Sequence, residues 1–285
     1  MGGRNDVRLS LAGAQDKIAV KVVDDQVALV KNGAPTTHIL KPAIDGLAGS
    51  AQNECFCMML AARVELPVAN VQFAVAGDTE YVLVQRFDRL LIDDKLGNAL
   101  TDSANENTVQ RLHQEDFCQA LSIPPEIKYE DEGGPGNEQS LGLIQSVVNQ
   151  PVADRLMFLK MQIFHFLVGN ADAYAKNFAL LHAPEGHSPS LAPLYDVVCT
   201  ATYAALTKKT AMRIGGRNVP DTIRLKHWLS LVPETKAAQQ LLVRELRHFA
   251  ENIVLSICSA CGGPMKTTRP GSLSECRTTV LRIGS

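Results

Sequence analysis

Short apolar runs separated by turn residues dominate the first third of the chain, from Leu9 to about Gln85. Runs of this length, bounded by polar residues and glycines, are typical of β-strands. One helix interrupts them, because Ser50 can cap a helix that runs from Ala51 to Ala62 and cannot continue through Pro67. We predict strands at Ile18–Val23, Val27–Val30, His38–Leu40, Val71–Val75 and Tyr81–Val84.

The hydrophobic pattern changes beyond Leu91, where a polar stretch at 93–107 is followed by segments with helical spacing. From Leu156 to Val168 the chain is apolar on nearly every side, which predicts a buried central helix ending at Gly169. The chain is therefore predicted to be an α+β protein with a β-rich part (1–90), a helical part (91–260) and a tail (261–285). We predict helices at Gln114–Leu121, Ser140–Asn149, Asp154–Val168 and Lys236–Cys258.

Composition and charge exclude several classes of protein. The 285 residues are 46% hydrophobic, which is enough to build a sizeable core. Twenty-eight basic against thirty acidic residues give a net charge of −2, so no global charge attracts nucleic acid or an anionic membrane. We expect DNA contact only through a partner.

The start of the chain has no apolar signal region, and no run of roughly 18 apolar residues occurs, so we expect a cytoplasmic protein without a membrane partner.

The seven cysteines favour buried thiols in a reducing compartment over a disulfide framework, since their number is odd and they are scattered. Cys258 and Cys261 have the spacing of a zinc knuckle, but a structural zinc site needs four ligands. Cys276 and His248 could complete it. The alternative is a helix end followed by a glycine-containing tail.

The most informative segment runs from Gly169 to Asn177, directly after the predicted central helix and before a predicted strand at Phe178–Leu181. Asp172 and Asn177 are five residues apart, as in the catalytic loop of protein kinases. There the aspartate accepts the proton of the attacking hydroxyl, and the neutral amide oxygen of the asparagine binds Mg²⁺ without repelling phosphates. The alternative is a simple turn, in which both side chains bond to nearby backbone.

Two further segments supply charged groups of the kind that phosphoryl transfer needs. Asp196 lies within the apolar run Leu194–Val198, and a carboxylate at a buried strand end must be paired or bound to metal. Lys41 ends a predicted strand and Glu54 lies on the predicted helix, as do the phosphate-binding lysine and its glutamate in kinases. The alternatives are a salt-bridged core aspartate and a solvated lysine.

Nucleotide-binding loops are predicted at two other places. Gln85, Arg86 and Phe87 close the last strand, where a hinge between two lobes would offer backbone groups to adenine; Leu83 and Phe87 could flank the base or belong to the core. The segment 10–17 is rich in small residues, which let backbone amides approach phosphate. It matches neither the Walker pattern nor the three-glycine kinase pattern, so a β-hairpin is the alternative.

Taken together and in order, these segments resemble the HipA family of serine/threonine protein kinase toxins over about Arg8 to Asn218. Each motif is ambiguous alone, but the probability that so many motifs agree in order by chance is small. The segments that carry the resemblance are Ser10–Lys17, His38–Pro42, Asn53-Glu54, Gln85–Arg89, Gln114–Gln119, Lys128–Glu130 with Gly133–Pro135, Gly169–Phe178 and Tyr195–Val197.

The resemblance implies a two-lobed protein-kinase-like fold, with a small antiparallel-sheet lobe and a larger, mainly helical lobe. It also implies ATP and Mg²⁺ as cofactors and a role for each matching residue. These are Asp172 as catalytic base, Lys41 on the ATP phosphates with Glu54 supporting it, Asn177 and Asp196 on Mg²⁺, Ala12, Gly13, Ala14, Gln15 and Lys176 on the nucleotide, Gln85, Arg86 and Phe87 as hinge, and Ser10 as the autophosphorylated serine whose modification ejects the loop.

The family's partners follow as expectations. The implied protein substrate is an aminoacyl-tRNA synthetase, whose phosphorylation halts translation and produces persistence, and the implied partner is a helix-turn-helix antitoxin of the HipB type. The chain departs from the family at Tyr174, where histidine is common, and it begins close to the phosphate loop. A separate small protein could supply the N-terminal subdomain of the longer toxins. A catalytically impaired module that sequesters an antitoxin, or a small-molecule or lipid kinase, remains the alternative.

Overall fold

A five-stranded antiparallel sheet forms the first part of the computed structural model, which describes residues 15–23, 26–30, 35–92, 108–182 and 188–260. The strand order is β2-β1-β3-β5-β4, so β3 lies in the middle. All five predicted strands are confirmed, with β3 extended to include Lys41, which pairs with Val82. The strands are β1 (Ile18–Val23), β2 (Gln26–Leu29), β3 (His38–Pro42), β4 (Val71–Ala76) and β5 (Thr79–Gln85).

Helix α1 (Ser50–Arg63) packs against β4 and β5 with one apolar side, on which Ala51, Met58 and Ala61 are buried. The predicted cap is wrong. Gly49 is the N-cap residue, in the left-handed conformation at φ 68°, and Ser50 is the first helical residue. The Ser50 hydroxyl instead accepts a hydrogen bond from the backbone N–H of Ile44 at 2.7 Å, so it fixes the turn that leads into the helix.

The second part is built around α4 (Pro151–Val168), whose second half is buried on every side as predicted. It ends because Gly169, at φ 71°, adopts the left-handed conformation that glycine accepts without strain. A side chain at this position would also meet Ala201, whose Cβ would lie 2.8 Å from an added Cβ. Around α4 are arranged α2 (Phe117–Ala120), α3 (Asn137–Val147), α5 (Leu225–Leu229) and α6 (Lys236–Ala260).

The predicted helix at Gln114–Leu121 is wrong in its first half, which is strand β8 (His113–Asp116). This strand is the edge of a three-stranded sheet with β9 (Ala179–His182) and β10 (Ser190–Leu191). All four residues of β8 are polar because an edge strand need not bury a face, so the sequence lacks the alternation that would have predicted it. The Asp116 carboxylate then caps the short α2 by accepting from the Gln119 N–H.

Strands β6 (Arg89–Ile92) and β7 (Thr108–Arg111) form a separate ladder that the apolar pattern did not predict. The polar stretch 93–107 between them and the tail 261–285 lie outside the described residues. The α+β class is confirmed, and the boundary near residue 90 stays a prediction. No helix in the described part of the chain is long and apolar enough to cross a membrane.

Three phenylalanines join the elements around the catalytic loop. Phe158 of α4 contacts Phe117 of α2 and Phe178, which precedes β9, at ring-centroid distances of 5.8 and 4.9 Å. Phe117 and Phe178 complete the triangle at 5.9 Å. Because all three side chains are buried, this cluster fixes the C-terminal end of the predicted catalytic loop to the central helix.

We expect Phe158→Ala to lower the free energy of unfolding by about 3–5 kcal/mol, because it leaves a cavity that its neighbours cannot fill. Urea denaturation measures the loss. Val152→Ala is the control, since Val152 lies on the same helix and is 81% exposed; its effect should stay within about 0.5 kcal/mol. Equal losses in the two variants would contradict this account of the core.

Candidate active site

The Lys41 ammonium joins three segments that lie far apart in the sequence. Its Nζ donates to Glu54 Oε1 at 2.7 Å and to Asp196 Oδ1 at 2.8 Å. Lys41 is on β3, Glu54 on α1 and Asp196 on the segment after β10. The sequence predicted the Lys41–Glu54 pair and placed Asp196 in the same site. The structure brings all three side chains together in a largely buried cluster.

Burial and charge act in opposite directions on this cluster. Burial lowers the pKa of Lys41, but the attraction of Asp196 and Glu54 outweighs it, so the net pKa is raised and the ammonium stays charged. Burial would raise the pKa of Asp196, yet the charge and hydrogen bond of Lys41 lower it overall. For Glu54 burial prevails and the pKa is raised. Of the two carboxylates, Asp196 is thus the one whose pKa Lys41 brings below its ordinary value.

Asp196 does not lie on a strand, which corrects the expectation from the apolar run 194–198. Leu194 makes only a single parallel bridge to Val68, and Asp196 then turns into the left-handed region at φ 59°. A non-glycine residue is rare there and costs about 1 kcal/mol or more, so surrounding contacts must hold it. Besides Lys41, they include Tyr195, whose hydroxyl donates to the Lys176 carbonyl at 2.8 Å and whose ring lies 5.5 Å from that of Phe87.

Asn53 connects α1 to the chain just beyond Asp196. Its Oδ1 accepts from the Cys199 N–H at 2.8 Å, and its Nδ2 donates to the Cys199 carbonyl at 3.0 Å. The side chain thus binds one residue of the second part through both of its groups. This pair of bonds holds the helix that carries Glu54 against the segment that carries Asp196.

Asp172 and Asn177 lie in one tightly hydrogen-bonded loop, as predicted. The Asp172 N–H donates to Asn170 Oδ1 at 2.9 Å, and the Asp172 carbonyl accepts from Asn177 Nδ2 at 2.7 Å and from the Tyr174 N–H at 3.0 Å. Because the Asn177 nitrogen is used inside the loop, its amide oxygen is presented on the opposite side. As the turn alternative expects, the Asn177 side chain bonds to nearby backbone, but the Asp172 carboxylate accepts from the Tyr129 hydroxyl instead. Both side chains are almost fully buried.

The surroundings of Asp172 contain two residues whose roles the sequence did not reveal. The Tyr129 hydroxyl donates to Asp172 Oδ1 at 3.2 Å, and Lys128 Nζ lies 5.2 Å from the Tyr129 ring and 5.0 Å from the Tyr174 ring. Burial lowers the pKa of Lys128 overall, while the charge of Asp172 opposes that effect. Lys128 and Tyr129 belong to one of the segments that carry the family resemblance, but only the fold shows that they lie near Asp172.

Tyr174 and His165 form the buried support of the loop. Tyr174 is fully buried, with its hydroxyl unpaired within the described residues, so it serves by packing at the position where histidine is common. His165 of α4 meets Asn170 Nδ2 through its Nδ1 at 3.0 Å. Burial lowers the pKa of His165 to about 3, so the imidazole is neutral. The departure at Tyr174 leaves the positions of Asp172 and Asn177 intact.

Two backbone N–H groups of the predicted hinge already make hydrogen bonds within the first part of the chain. The N–H groups of Gln85 and Arg86 donate to the carbonyls of Asn70 and Thr37 at 2.8 and 2.9 Å, and the Arg86 guanidinium binds Asp88. Phe87 is half-buried against Tyr195, and Leu83 is buried, although it is not part of the core cluster that contains its neighbours Val82 and Val84. A role of these residues as the adenine hinge stays a prediction.

Of the predicted phosphate loop, the end that begins at Gln15 lies within the described residues. Gln15 Nε2 donates to the Pro42 carbonyl at 2.8 Å, which fixes the end of the loop to β3 beside Lys41. Lys17 adds a favourable charge to the surroundings of Asp196. Lys176 lies half-buried on a short 3-10 turn (Ala175–Asn177). Ser10, Ala12, Gly13 and Ala14 lie outside the described residues, as do Cys261 and Cys276 of the tail.

A recess opens beside Asp172, lined by Tyr129, Thr200, Thr207 and Lys209 among others. Asp196 binds Lys41 of the sheet and follows Tyr195, whose hydroxyl bonds to Lys176 of the loop. The ionised carboxylate of Asp196 and the amide oxygen of Asn177 are hard oxygen donors, which suit Mg²⁺. The residues present therefore fit a nucleotide–metal site next to a recess for an acceptor group.

Comparison with known proteins gives the family of this arrangement. Residues 9–262 match the sequence model of a family described as the HipA-like C-terminal domain. The chain is 39% identical over 252 residues to "Putative kinase Y4mE" of Sinorhizobium fredii and 29% identical over 260 residues to the serine/threonine-protein kinase toxin HipA of Shewanella oneidensis. Each match covers 88% of this chain but 57% of the relative, so the chain spans little more than half the length of these relatives.

Solved structures give the same result for the fold. The Shewanella oneidensis HipA structure, a complex with HipB and its operator DNA, matches with a TM-score of 0.78 and 26% identity over 99% of this chain and 65% of that chain. The Helicobacter pylori proinflammatory kinase CtkA matches in fold with a TM-score of 0.54 at 11% identity, over 93% of each chain. The predicted two-lobed, kinase-like fold and the resemblance to HipA are confirmed.

Removing the Lys41 charge should destabilise the protein most at neutral pH. Lys41→Met leaves two buried carboxylates facing each other, which costs about 3–5 kcal/mol. Their pKa values in the folded variant then exceed those in the unfolded chain, so the folded variant binds protons first and its deficit shrinks between about pH 7 and about pH 5. Urea denaturation at both pH values measures this. Lys160→Met, which breaks a more exposed pair with Glu245, should cost about 1 kcal/mol or less at either pH.

Gly134 should tolerate no side chain, because an added Cβ would lie 2.6 Å from the carbonyl carbon of Lys128. We expect Gly134→Ala to lower the free energy of unfolding by about 1–3 kcal/mol through displacement of the backbone at Lys128. Gly142 in α3 is the matched control, since an added Cβ meets nothing within 4 Å. Gly142→Ala should be neutral or stabilising by up to about 1 kcal/mol. Thermal or urea unfolding that ranks the two variants the other way would refute the prediction.

Proposed function

This chain belongs to the HipA-like C-terminal domain family, and we propose that it is the catalytic core of a serine/threonine protein kinase. The reaction is transfer of the γ-phosphoryl group of ATP to a protein hydroxyl. The observation that carries the proposal is the buried Lys41 ammonium, bonded to both Glu54 and Asp196, next to the Asp172–Asn177 loop. A charged lysine with two carboxylates is costly to bury, and phosphate binding accounts for its presence.

Nucleotide binding would use the face between the sheet and the loop. Lys41 would bind the α- and β-phosphates, with Glu54 holding its ammonium in place. Asp196 and Asn177 would hold Mg²⁺, which when bound neutralises charge on the phosphates. Gln15 orders the end of the phosphate loop, to which we assign Ala12, Gly13 and Ala14, and Lys176 would add a second cation. Gln85, Arg86 and Phe87 would contact adenine.

Of the three hinge residues, Phe87 is the best placed to offer its amide. The N–H groups of Gln85 and Arg86 already serve the carbonyls of Asn70 and Thr37. The Phe87 ring lies against Tyr195, whose hydroxyl bonds to the catalytic loop. A base bound at Phe87 would therefore contact the same side chains that hold the loop.

Asp172 would activate the acceptor hydroxyl of the substrate. Its Oδ1 is oriented by the Tyr129 hydroxyl, and its backbone is fixed by Asn170 and Asn177. A substrate hydroxyl entering the recess lined by Thr200 and Thr207 would reach this carboxylate, which accepts the proton as the oxygen attacks phosphorus. Positioning and neutralisation of charge then supply most of the rate, since the protein forms no covalent intermediate in this scheme.

The substrate and partners are proposed from the family. We assign an aminoacyl-tRNA synthetase as protein substrate and Ser10 as the site of autophosphorylation. A HipB-type antitoxin is the proposed partner, supported by the solved Shewanella oneidensis complex of HipA with HipB and operator DNA. DNA contact would run through that antitoxin. From the family we also propose a separate small protein as a further partner.

The proposal is tested by transfer of radiolabel from γ-labelled ATP with Mg²⁺ to the chain itself and to a panel of aminoacyl-tRNA synthetases. We expect Asp172→Asn to reduce transfer by about 10²–10⁴-fold, because the group that accepts the proton is lost. Asp78→Asn, in the exposed turn between β4 and β5, is the control and should label like the wild type. Label that Asp172→Asn retains in full would refute the catalytic role.

Three further results separate the alternatives. Loss of self-labelling in Ser10→Ala would identify the modified serine. Calorimetry that detects antitoxin binding without ATP binding would instead support a catalytically impaired binding module. Label that appears only in a small molecule or lipid would replace the protein acceptor.

A further inference from the structure

A group of three metal-binding side chains lies outside the proposed kinase site, on the sheet formed by β8 and β9. His113, Glu115 and His182 each offer one ligand atom, and these three atoms lie within 4.8 Å of one another. His182 Nε2 and Glu115 Oε1 are 2.7 Å apart. The two imidazole rings are 4.8 Å apart between centroids.

The β-ladder itself places these residues on one face. His113 and Glu115 are two residues apart on β8, and side chains at that spacing point to the same side of a strand. His182 on β9 is the direct cross-strand partner of His113, so it lies on that side as well. The arrangement therefore depends on strand register, which the backbone fixes, rather than on the path of a loop.

We propose that His113, Glu115 and His182 form a binding site for a divalent transition-metal ion of the zinc type. Two neutral imidazoles and one carboxylate are a donor set that suits Zn²⁺ and its neighbours, with a coordination position left open for water. Zinc ligands at about 2.0–2.2 Å from the ion lie about 3.3 Å from each other in a tetrahedron. The present atoms need shifts of about 1 Å, which side-chain rotations can supply.

An ion pair alone does not account for the cluster. The His182–Glu115 contact would be satisfied by a single proton on His182, but the His113 ring lies beside that of His182 at an interplanar angle of 45° and has no part in that pair. A divalent ion satisfies all three side chains at once by taking the place of that proton.

The chemistry of this site separates it from the proposed magnesium site. Mg²⁺ prefers an all-oxygen shell and competes weakly for imidazole nitrogen. All three ligands are at least partly exposed, and β8 is an edge strand, so an ion can reach them from solvent. A bound ion would connect β8, which leads into Phe117, to β9, which follows Phe178, and would hold the two strands together.

The test is zinc binding to the full chain, without an affinity tag and after removal of metal by chelator. Calorimetry should detect one zinc ion per chain. His113→Ala and His182→Ala should each weaken it by at least the ~10–100-fold that loss of a supporting group costs at a metal site. His248→Ala on α6 is the matched control and should bind like the wild type. Zinc should also raise the Tm of the wild type by about 5 °C at a hundredfold excess over Kd, and not that of His182→Ala.

Cobalt distinguishes this site from the cysteines. The Co²⁺ complex of the wild type should show d–d bands without the thiolate-to-cobalt charge-transfer band that cysteine ligands give, and a variant carrying Cys258→Ser and Cys261→Ser should bind unchanged. Near-ultraviolet circular dichroism checks that each variant is folded. Absence of stoichiometric zinc in the wild type, equal affinity in the histidine variants, or loss of binding in the cysteine variant would each overturn the proposal.

Discussion

The interaction on which the site depends is the burial of one ammonium between two carboxylates. Removing Lys41, Glu54 and Asp196 from water is costly, and the cost is offset only when all three meet at hydrogen-bond distance. Because they come from β3, α1 and a segment 155 residues beyond Lys41, the sheet, the helix and the second part must keep one relative position. The strained backbone at Asp196 is maintained by the same constraint.

The proposed catalytic loop depends on the hydrophobic core in the same way. Gly169 ends the central helix at a position where a side chain would meet Ala201, and Phe178 closes the loop by packing on Phe158. Between these two points the loop is held by bonds within itself, through Asn170 and Asn177, and by bonds to Tyr129, Tyr195 and Thr200. Its polar groups are thereby oriented before any ligand binds, which is the condition for electrostatic stabilisation of phosphoryl transfer.

The sequence predicted those elements that a short stretch of residues determines by itself. β1 was predicted from a short apolar run, and the central helix from a stretch that is apolar on nearly every side. Asp172 and Asn177 lie within one short loop, so their spacing can be read directly from the sequence. β8 was missed because this edge strand carries no apolar run. The sequence placed Asp196 on a strand, because the contacts that hold its left-handed backbone come from distant residues. The hydrogen bond from Tyr129 to Asp172 was missed for the same reason, since it joins segments 43 residues apart. Interactions of this kind leave no periodic signal along the chain.

The two bonds of Asn53 to Cys199 restrict how such a protein can be switched. Many kinases are regulated by a swing of the helix that carries the glutamate, which separates it from the lysine. Here that swing would break both Asn53 bonds and the Lys41–Glu54 pair together, at a cost of roughly 4–8 kcal/mol. Fewer than about one molecule in 10³ would be found in the swung-out state at equilibrium. Helix α1 is therefore held in one position against the segment that carries Asp196, and in the proposed kinase any control of activity would have to act through other elements or through a partner.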